Sequence, residues 1–176
     1  KGPTFRHEIY KEYKANRSAM PEDMAVQIPY IKKIVAAFRV PMLEMPGYEA
    51  DDLIGTLAGQ AVEGGFDVVI VSGDKDFAQL VSDRVIIWDP MKEISIDPAA
   101  VREKFGIEPA QVIDAMALAG DSADNIPGVP GIGPKTAYAL IREFGSLDKI
   151  YDQMDTITKK KQKENLANFK DQAYLS

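Results

Sequence analysis

The chain has 176 residues, 45% of them hydrophobic and 27% charged, which suffices for a buried core and about one to one and a half domains. It has no cysteine and a single histidine, His7; this excludes disulfide scaffolds, Cys-based zinc sites and His-rich metal centres, and leaves oxygen ligands for any metal. The net charge of −6 points away from nucleic acid, but seven acids crowd into three short clusters and the other 20 face 21 bases.

Lys1–Ala19 is polar and basic, unlike a secretory signal, and reads as a loop or as a helix that orders on contact. Within it, Tyr13-Lys14-Ala15-Asn16-Arg17 interleaves aromatic and basic groups. That pattern suits a nucleic-acid strand, with cations on phosphate and a ring on a base, and equally suits a solvated helix face. Residues 1–39 together are net +4. From Pro21 onward, Met24, Ile28, Ile31, Ile34, Val35 and Phe38 have helical spacing, and Pro29 predicts a kink or a restart. Val40–Pro46 reads as a short strand. A helix is predicted over Glu49–Glu63, buried along Leu53, Ile54, Leu57, Ala58 and Ala61 and ended by Gly64-Gly65.

The continuous apolar run within Asp67–Ser72 suits a parallel strand covered on both faces. A short helix over Phe77–Val81 and a strand over Val85–Trp88 follow. Strand alternating with helix makes residues 1–97 an α/β core. After Pro98 no further strand is expected. Helices are predicted at Pro98–Phe105, Pro109–Ala119, Asp124–Ile126, Pro134–Phe144 and Thr158–Phe169, so residues 98–176 form a small all-helical part. No apolar run approaches the ~18 residues that cross a bilayer.

The acid clusters are Glu49, Asp51 and Asp52; Asp74 and Asp76; Asp121 and Asp124. Each has an ordinary reading, as helix caps or as turn chemistry. Together, at element ends in a chain without cysteine, they fit an acidic two-metal centre, since crowded carboxylates repel unless a cation is present. Gly128-Val129-Pro130-Gly131-Ile132-Gly133-Pro134-Lys135-Thr136 fails as a Walker A loop, because Pro134 separates the last glycine from the lysine. Gly131, Ile132, Gly133 and Ala137, with Leu140, Ile141 and Phe144, fit a helix–hairpin–helix that aims backbone N–H groups at a phosphate; an ordinary helix–helix turn is the alternative. Lys159-Lys160-Lys161-Gln162-Lys163 reads as a solvated helix face first and as a DNA contact second.

In order along the chain, Phe5-Arg6-His7-Glu8, Tyr13-Lys14-x-x-Arg17, Gly47-x-Glu49-Ala50-Asp51-Asp52, Gly73-Asp74-Lys75-Asp76 and Gly120-Asp121-x-x-Asp124-Asn125-Ile126-Pro127-Gly128-Val129-x-Gly131-Ile132-Gly133 resemble the 5′-nuclease domain of bacterial DNA polymerases I, a relative of flap endonucleases. The resemblance covers essentially the whole chain. It implies a PIN-like parallel-sheet core followed by a helix–three-turn–helix DNA-binding element. It further implies that Glu49, Asp51, Asp52, Asp74, Asp76, Asp121 and Asp124 hold or orient two Mg²⁺ or Mn²⁺ ions. By the same resemblance Lys14 and Arg17 meet the scissile phosphate, Tyr13 stacks on a base near the cut, and Arg6 belongs to the same catalytic set on the segment around residues 5–20, a mobile gateway. Gly131, Ile132, Gly133, Lys135 and Thr136 would hold duplex DNA, with K⁺ on the hairpin carbonyls.

The implied reaction is removal of primers and 5′ flaps from flap, nicked or primer-containing duplex DNA in the bacterial cytoplasm, within a longer chain that carries polymerase domains. The family places a strand, a helix and a second strand, with two further aspartates, ahead of the first residue here. The resemblance therefore implies a fragment that lacks a central strand and is weakly active or inactive alone. A non-catalytic duplex-binding hairpin module is the alternative.

Overall fold

The computed structural model describes residues 2–176; Lys1, counted in the basic N-terminal stretch, lies outside the described residues. Helix α1 spans Phe5–Ile9, α2 Glu22–Ala25 and α3 Ile28–Ala37, with Pro29 inside the first turn of α3. The proline therefore restarts a helix, as its missing N–H allows at that position. Helix α4 runs Ala50–Glu63 behind Glu49 and stops at Gly64, matching the expected bounds.

Strand β1 (Val68–Val71) pairs in parallel with β2 (Val85–Asp89), from Val68 opposite Val85 to Val71 opposite Trp88. Strand β3 (Ile94–Ile96) then pairs antiparallel to β2, giving the order β1-β2-β3 and a mixed sheet rather than the expected parallel one. The strand at Ile94–Ile96 had no sequence signal beyond three residues. It follows a tight return through Asp89, whose buried carboxylate accepts the Met91 and Lys92 N–H groups.

Two expectations fail for one reason. Val40–Pro46 forms no strand, and β1 is covered on one face only: Ile70 is buried while Val69 and Val71 are more than half exposed. Both would need a neighbour on the free side of β1, and among the described residues nothing pairs there. Tyr30, Ile31, Ile34, Phe38, Leu43 and Met45 are exposed on the same N-terminal third. Of the expected α4 stripe only Ala58 is buried; Leu57 is exposed.

Beyond the sheet, α5 (Pro98–Phe105) and α7 (Pro134–Phe144) have the expected bounds. Asp97 caps α5 by accepting the Ala100 N–H at 2.8 Å, and Pro98 occupies the first turn. Helix α6 covers Val112–Ala119 after a 3₁₀ turn at Pro109–Gln111. Helices α8 (Leu147–Asp152), α9 (Lys160–Asn168) and α10 (Lys170–Leu175) complete the chain. Val101, Leu118, Ile141, Ile150 and Leu166 are wholly buried in a core continuous with Ile70, Phe77 and Ile87. No helix of the described residues is long and apolar enough to cross a membrane.

The second half is not purely helical. Residues 124–126, expected as a helix, belong to a turn and to β5 (Ile126–Pro127), which pairs antiparallel to β4 (Gly120–Asp121). The cause lies at Gly120, with φ near +71°, and Gly128. A Cβ on Gly120 would lie 2.1 Å from the Gly128 nitrogen, and one on Gly128 would lie 2.2 Å from the Ala119 carbonyl carbon. Only two glycines let the backbones cross this closely, and the crossing closes the loop that carries Asp121 and Asp124.

Candidate metal centre and nucleic-acid interface

The acids arrive from three separate parts of the chain. Glu49 precedes α4, and Asp51 and Asp52 lie in its first turn, where the orphan N–H groups favour negative charge. Asp74 follows β1 and caps the 3₁₀ turn Lys75–Leu80 by accepting the Asp76 N–H at 3.0 Å. Asp121 braces its own loop by accepting the Ala123 N–H at 2.8 Å, and Asp124 closes that loop. Glu49, Asp51, Asp52, Asp76, Asp121 and Asp124 line one cleft of about 420 Å³; Asp74 stands behind it.

The cleft is electrostatically uncomfortable. Burial pushes the Asp76 carboxyl up to about 6, and the charges of Asp74, Asp121 and Asp124 add to this. Asp51 is also raised, by burial first and then by Asp74 and Glu49. The Asp76 Oδ1 atom is buried with no hydrogen-bond partner. An unsatisfied carboxylate oxygen among other carboxylates is the donor chemistry of a hard divalent cation. As they stand, among the described residues, no three acids are grouped closely enough to hold an ion.

A strap formed by residues 4–17 reaches the same acids. Tyr13 is its one buried residue, with the hydroxyl 3.1 Å from Glu49 and 3.2 Å from Asp124. Burial, with those two carboxylates, pushes this phenol up to about 12. His7 meets the Tyr13 ring edge-on at 5.3 Å. Lys14 donates to Glu49 at 2.5 Å and stands 3.5 Å from Asp124, while Arg17 pairs with Asp124. The strap is tied down further by the Lys14 N–H on the Asp124 carbonyl, Asn16 on the Ser122 carbonyl and Asn125 on the Glu12 carbonyl.

Three of the expected site groups are engaged within the chain in this arrangement. Tyr13 offers no free face to a base in this arrangement, because its ring is buried against His7 and under the Lys14 ammonium. Lys14 and Arg17 hold carboxylates rather than facing an open phosphate site. Asp52 is not a free ligand: Arg6 grips both of its oxygens at 2.7 and 2.8 Å, and the Glu49 N–H takes one of them. The Arg6 bond holds the Asp52 carboxyl below its ordinary value. Arg6, from α1, thus braces the first turn of α4 through Asp52. Asn16, Ser122 and Asn125, which join strap to acid loop, were missed; contacts this distant leave no local pattern.

The hairpin follows the acid loop directly. The Val129 N–H donates to the Leu118 carbonyl at 2.8 Å and the Ile132 N–H to the Val129 carbonyl. Gly133 leads into α7; Gly131, Gly133 and Lys135 are exposed and Thr136 is half-buried. Ile132 is buried, so its side chain anchors the hairpin and only its backbone can serve a ligand. Asn165 of α9 donates to the Pro130 carbonyl at 2.7 Å, fixing the turn from behind.

Two family models account for the chain: a 5′-3′ exonuclease N-terminal resolvase-like domain over residues 1–106 and a 5′-3′ exonuclease C-terminal SAM fold over residues 107–176. DNA polymerase I of Bacillus subtilis (strain 168) is 45% identical over 177 residues, which covers 98% of this chain and 20% of that protein. The chain thus spans about a fifth of the length of the curated relatives it matches. Among solved structures, bacteriophage T5 5′-exonuclease with divalent zinc ions bound superposes with a TM-score of 0.82 at 29% identity, covering 99% of this chain and 68% of that one. A T5 flap endonuclease pseudo-enzyme-product complex with DNA and metal ions matches with the same TM-score and identity over 99% and 69%.

Proposed function

The chain belongs to the 5′-3′ exonuclease family, and from that premise we propose that its acidic cleft hydrolyses phosphodiesters at 5′ ends and 5′ flaps of duplex DNA, as part of a longer DNA polymerase I. The observation that carries the reading is the buried, unpartnered Asp76 oxygen in a cleft lined by acids from three separate parts of the chain. Asp51, Asp76, Asp121, Asp124 and Glu49 would hold two Mg²⁺ or Mn²⁺ ions. Bound there, the ions supply a nucleophile at neutral pH and Lewis acidity at the phosphate. Asp74 orients Asp76 through its N–H, and the Arg6–Asp52 pair orients Glu49 at the start of α4.

Lys14 and Arg17 are the strap's cations on Glu49 and Asp124, suited to the phosphate being cut. The exposed hairpin at Gly131–Gly133, with Lys135 and Thr136 beside it, suits the backbone of the duplex, with K⁺ on its carbonyls. The unpaired edge of β1 suits one more strand from the longer protein, which makes weak cleavage by residues 1–176 alone the expected result.

The test is cleavage of a 5′-flap duplex by the longer polymerase and by residues 1–176, each with Mg²⁺ or Mn²⁺, beside a gel-shift in Ca²⁺. Asp76→Asn should lower cleavage by the longer protein at least a hundredfold while leaving the gel-shift in place. Binding by the longer protein with no metal-dependent cleavage would instead establish a non-catalytic hairpin module.

A further inference from the structure

The strap that closes over the cleft does more than sit beside it. Of residues 4–17 only Tyr13 is buried, so little apolar surface holds this segment. Its attachment is polar and converges on the acid loop and the start of α4: Lys14 on Glu49 and Asp124, Arg17 on Asp124, and Tyr13 between the two acids. Lys14 also adopts φ near +57°, a left-handed conformation uncommon for a residue with a side chain. The conformation is secured by the Lys14 N–H on the Asp124 carbonyl.

We propose that Lys14 and Arg17 are an internal stand-in for a divalent cation: with no metal bound they neutralise Glu49 and Asp124 and hold the strap shut, and a metal ion displaces them. The proposal rests on the acidic cleft being a divalent-metal site. The charges match, since one lysine and one arginine together carry the charge of one such ion. The positions conflict. An ion at ~2.1 Å from the Glu49 oxygen that Lys14 now holds would stand less than about 5 Å from the ammonium nitrogen. Two like charges at that spacing in a half-buried cleft exclude one another. The released segment then presents Tyr13, Lys14 and Arg17, a ring and two cations, to an incoming phosphodiester strand. Metal loading and strand capture become successive steps of one exchange of cations, and a metal-free cleft is closed to nucleic acid by its own chain.

Two readouts other than activity decide the matter. Mn²⁺ affinity is measured by calorimetry for the unmodified chain and for Lys14→Gln and Arg17→Gln. Both variants should bind about fivefold tighter, a coupling of ordinary allosteric size, because a competitor has been removed. Backbone hydrogen exchange of the unmodified chain is measured with and without Mn²⁺. Residues 11–17 should exchange faster with the ion present, while α6 stays unchanged. Equal or weaker Mn²⁺ binding by both variants, or a strap that Mn²⁺ protects further, would overturn the proposal and leave the metal site intact. Absence of any Mn²⁺ binding by the unmodified chain, together with no Mn²⁺-dependent cleavage by the longer polymerase, would remove the metal reading and the strap proposal together.

Discussion

The strap and the helical half are fastened to the same acid loop by opposite means. Residues 2–48 contribute one buried side chain, Tyr13, and otherwise hold on through charges and hydrogen bonds. Residues 98–176 bury Val101, Leu118, Ile141, Ile150 and Leu166 completely, with α5 and α8 capped by Asp97 and Ser146. Apolar packing is insensitive to salt and pH, whereas ion pairs with exposed partners such as Arg17 weaken as ions screen them. The framework is thus built to stay, and the strap is built to be exchanged.

The largest test of this contrast cuts into the framework. Leu118→Ala removes a fully buried side chain in the last turn of α6 and should cost about 3 kcal/mol, read as a lower urea midpoint. The strap's ion pairs should contribute nothing to that loss. A Leu118→Ala protein as stable as its parent would break the contrast, since it would place the stability elsewhere.

A smaller effect comes from the cleft. Asp76 binds its proton more tightly when folded, with its carboxyl raised from 3.8 to about 6, so folding takes up protons between those values. Stability should therefore fall as pH rises from about 4 to about 6 and level off above, by about 1 kcal/mol once partial solvent exposure is allowed for. Asp51 has the same sign. Asp52, held low by Arg6, works in the opposite direction and only below the carboxylate range. Urea midpoints at pH 4.5 and 6.5 measure the slope, and Asp76→Asn should flatten it.

The smallest expected effect sharpens the comparison most. Raising NaCl from about 0.05 to about 1 M shortens the screening length from over 10 Å to about 3 Å. It should speed hydrogen exchange of residues 11–17 severalfold while leaving α6 and α7 unchanged. Equal protection at both salt concentrations would mean that the Tyr13 ring, not the charges, holds the strap.

Much of the framework was legible in the sequence because its signals are local. Pro98 and Pro134 open helices, and Gly106 and Gly145 close them, so α5 and α7 carry their bounds within a dozen residues. The acid clusters were legible as charge patterns, and the fold gathers six of those seven acids in one cleft. The strap was not legible, since Tyr13 meets partners 36 and 111 positions away. Neither was the fate of Val40–Pro46, where strand-like residues find no partner strand. The partner of Asp52 was not legible either, because a carboxylate's neighbours in sequence do not reveal that Arg6, 46 positions away, pairs with it.

The Gly120–Gly128 crossing gives the acid loop a property that neither region has alone. The loop is short and closed by backbone against backbone, so the entropy of closing it is small and no side chain is needed to complete the circle. Nothing in that closure titrates or is screened by salt. Asp121 and Asp124 therefore ride on a hinge that is blind to the solvent, while the side chains that reach for them respond to it. The backbone that carries these two acids is fixed by covalent geometry, and what varies with solvent is the set of side chains that meet them.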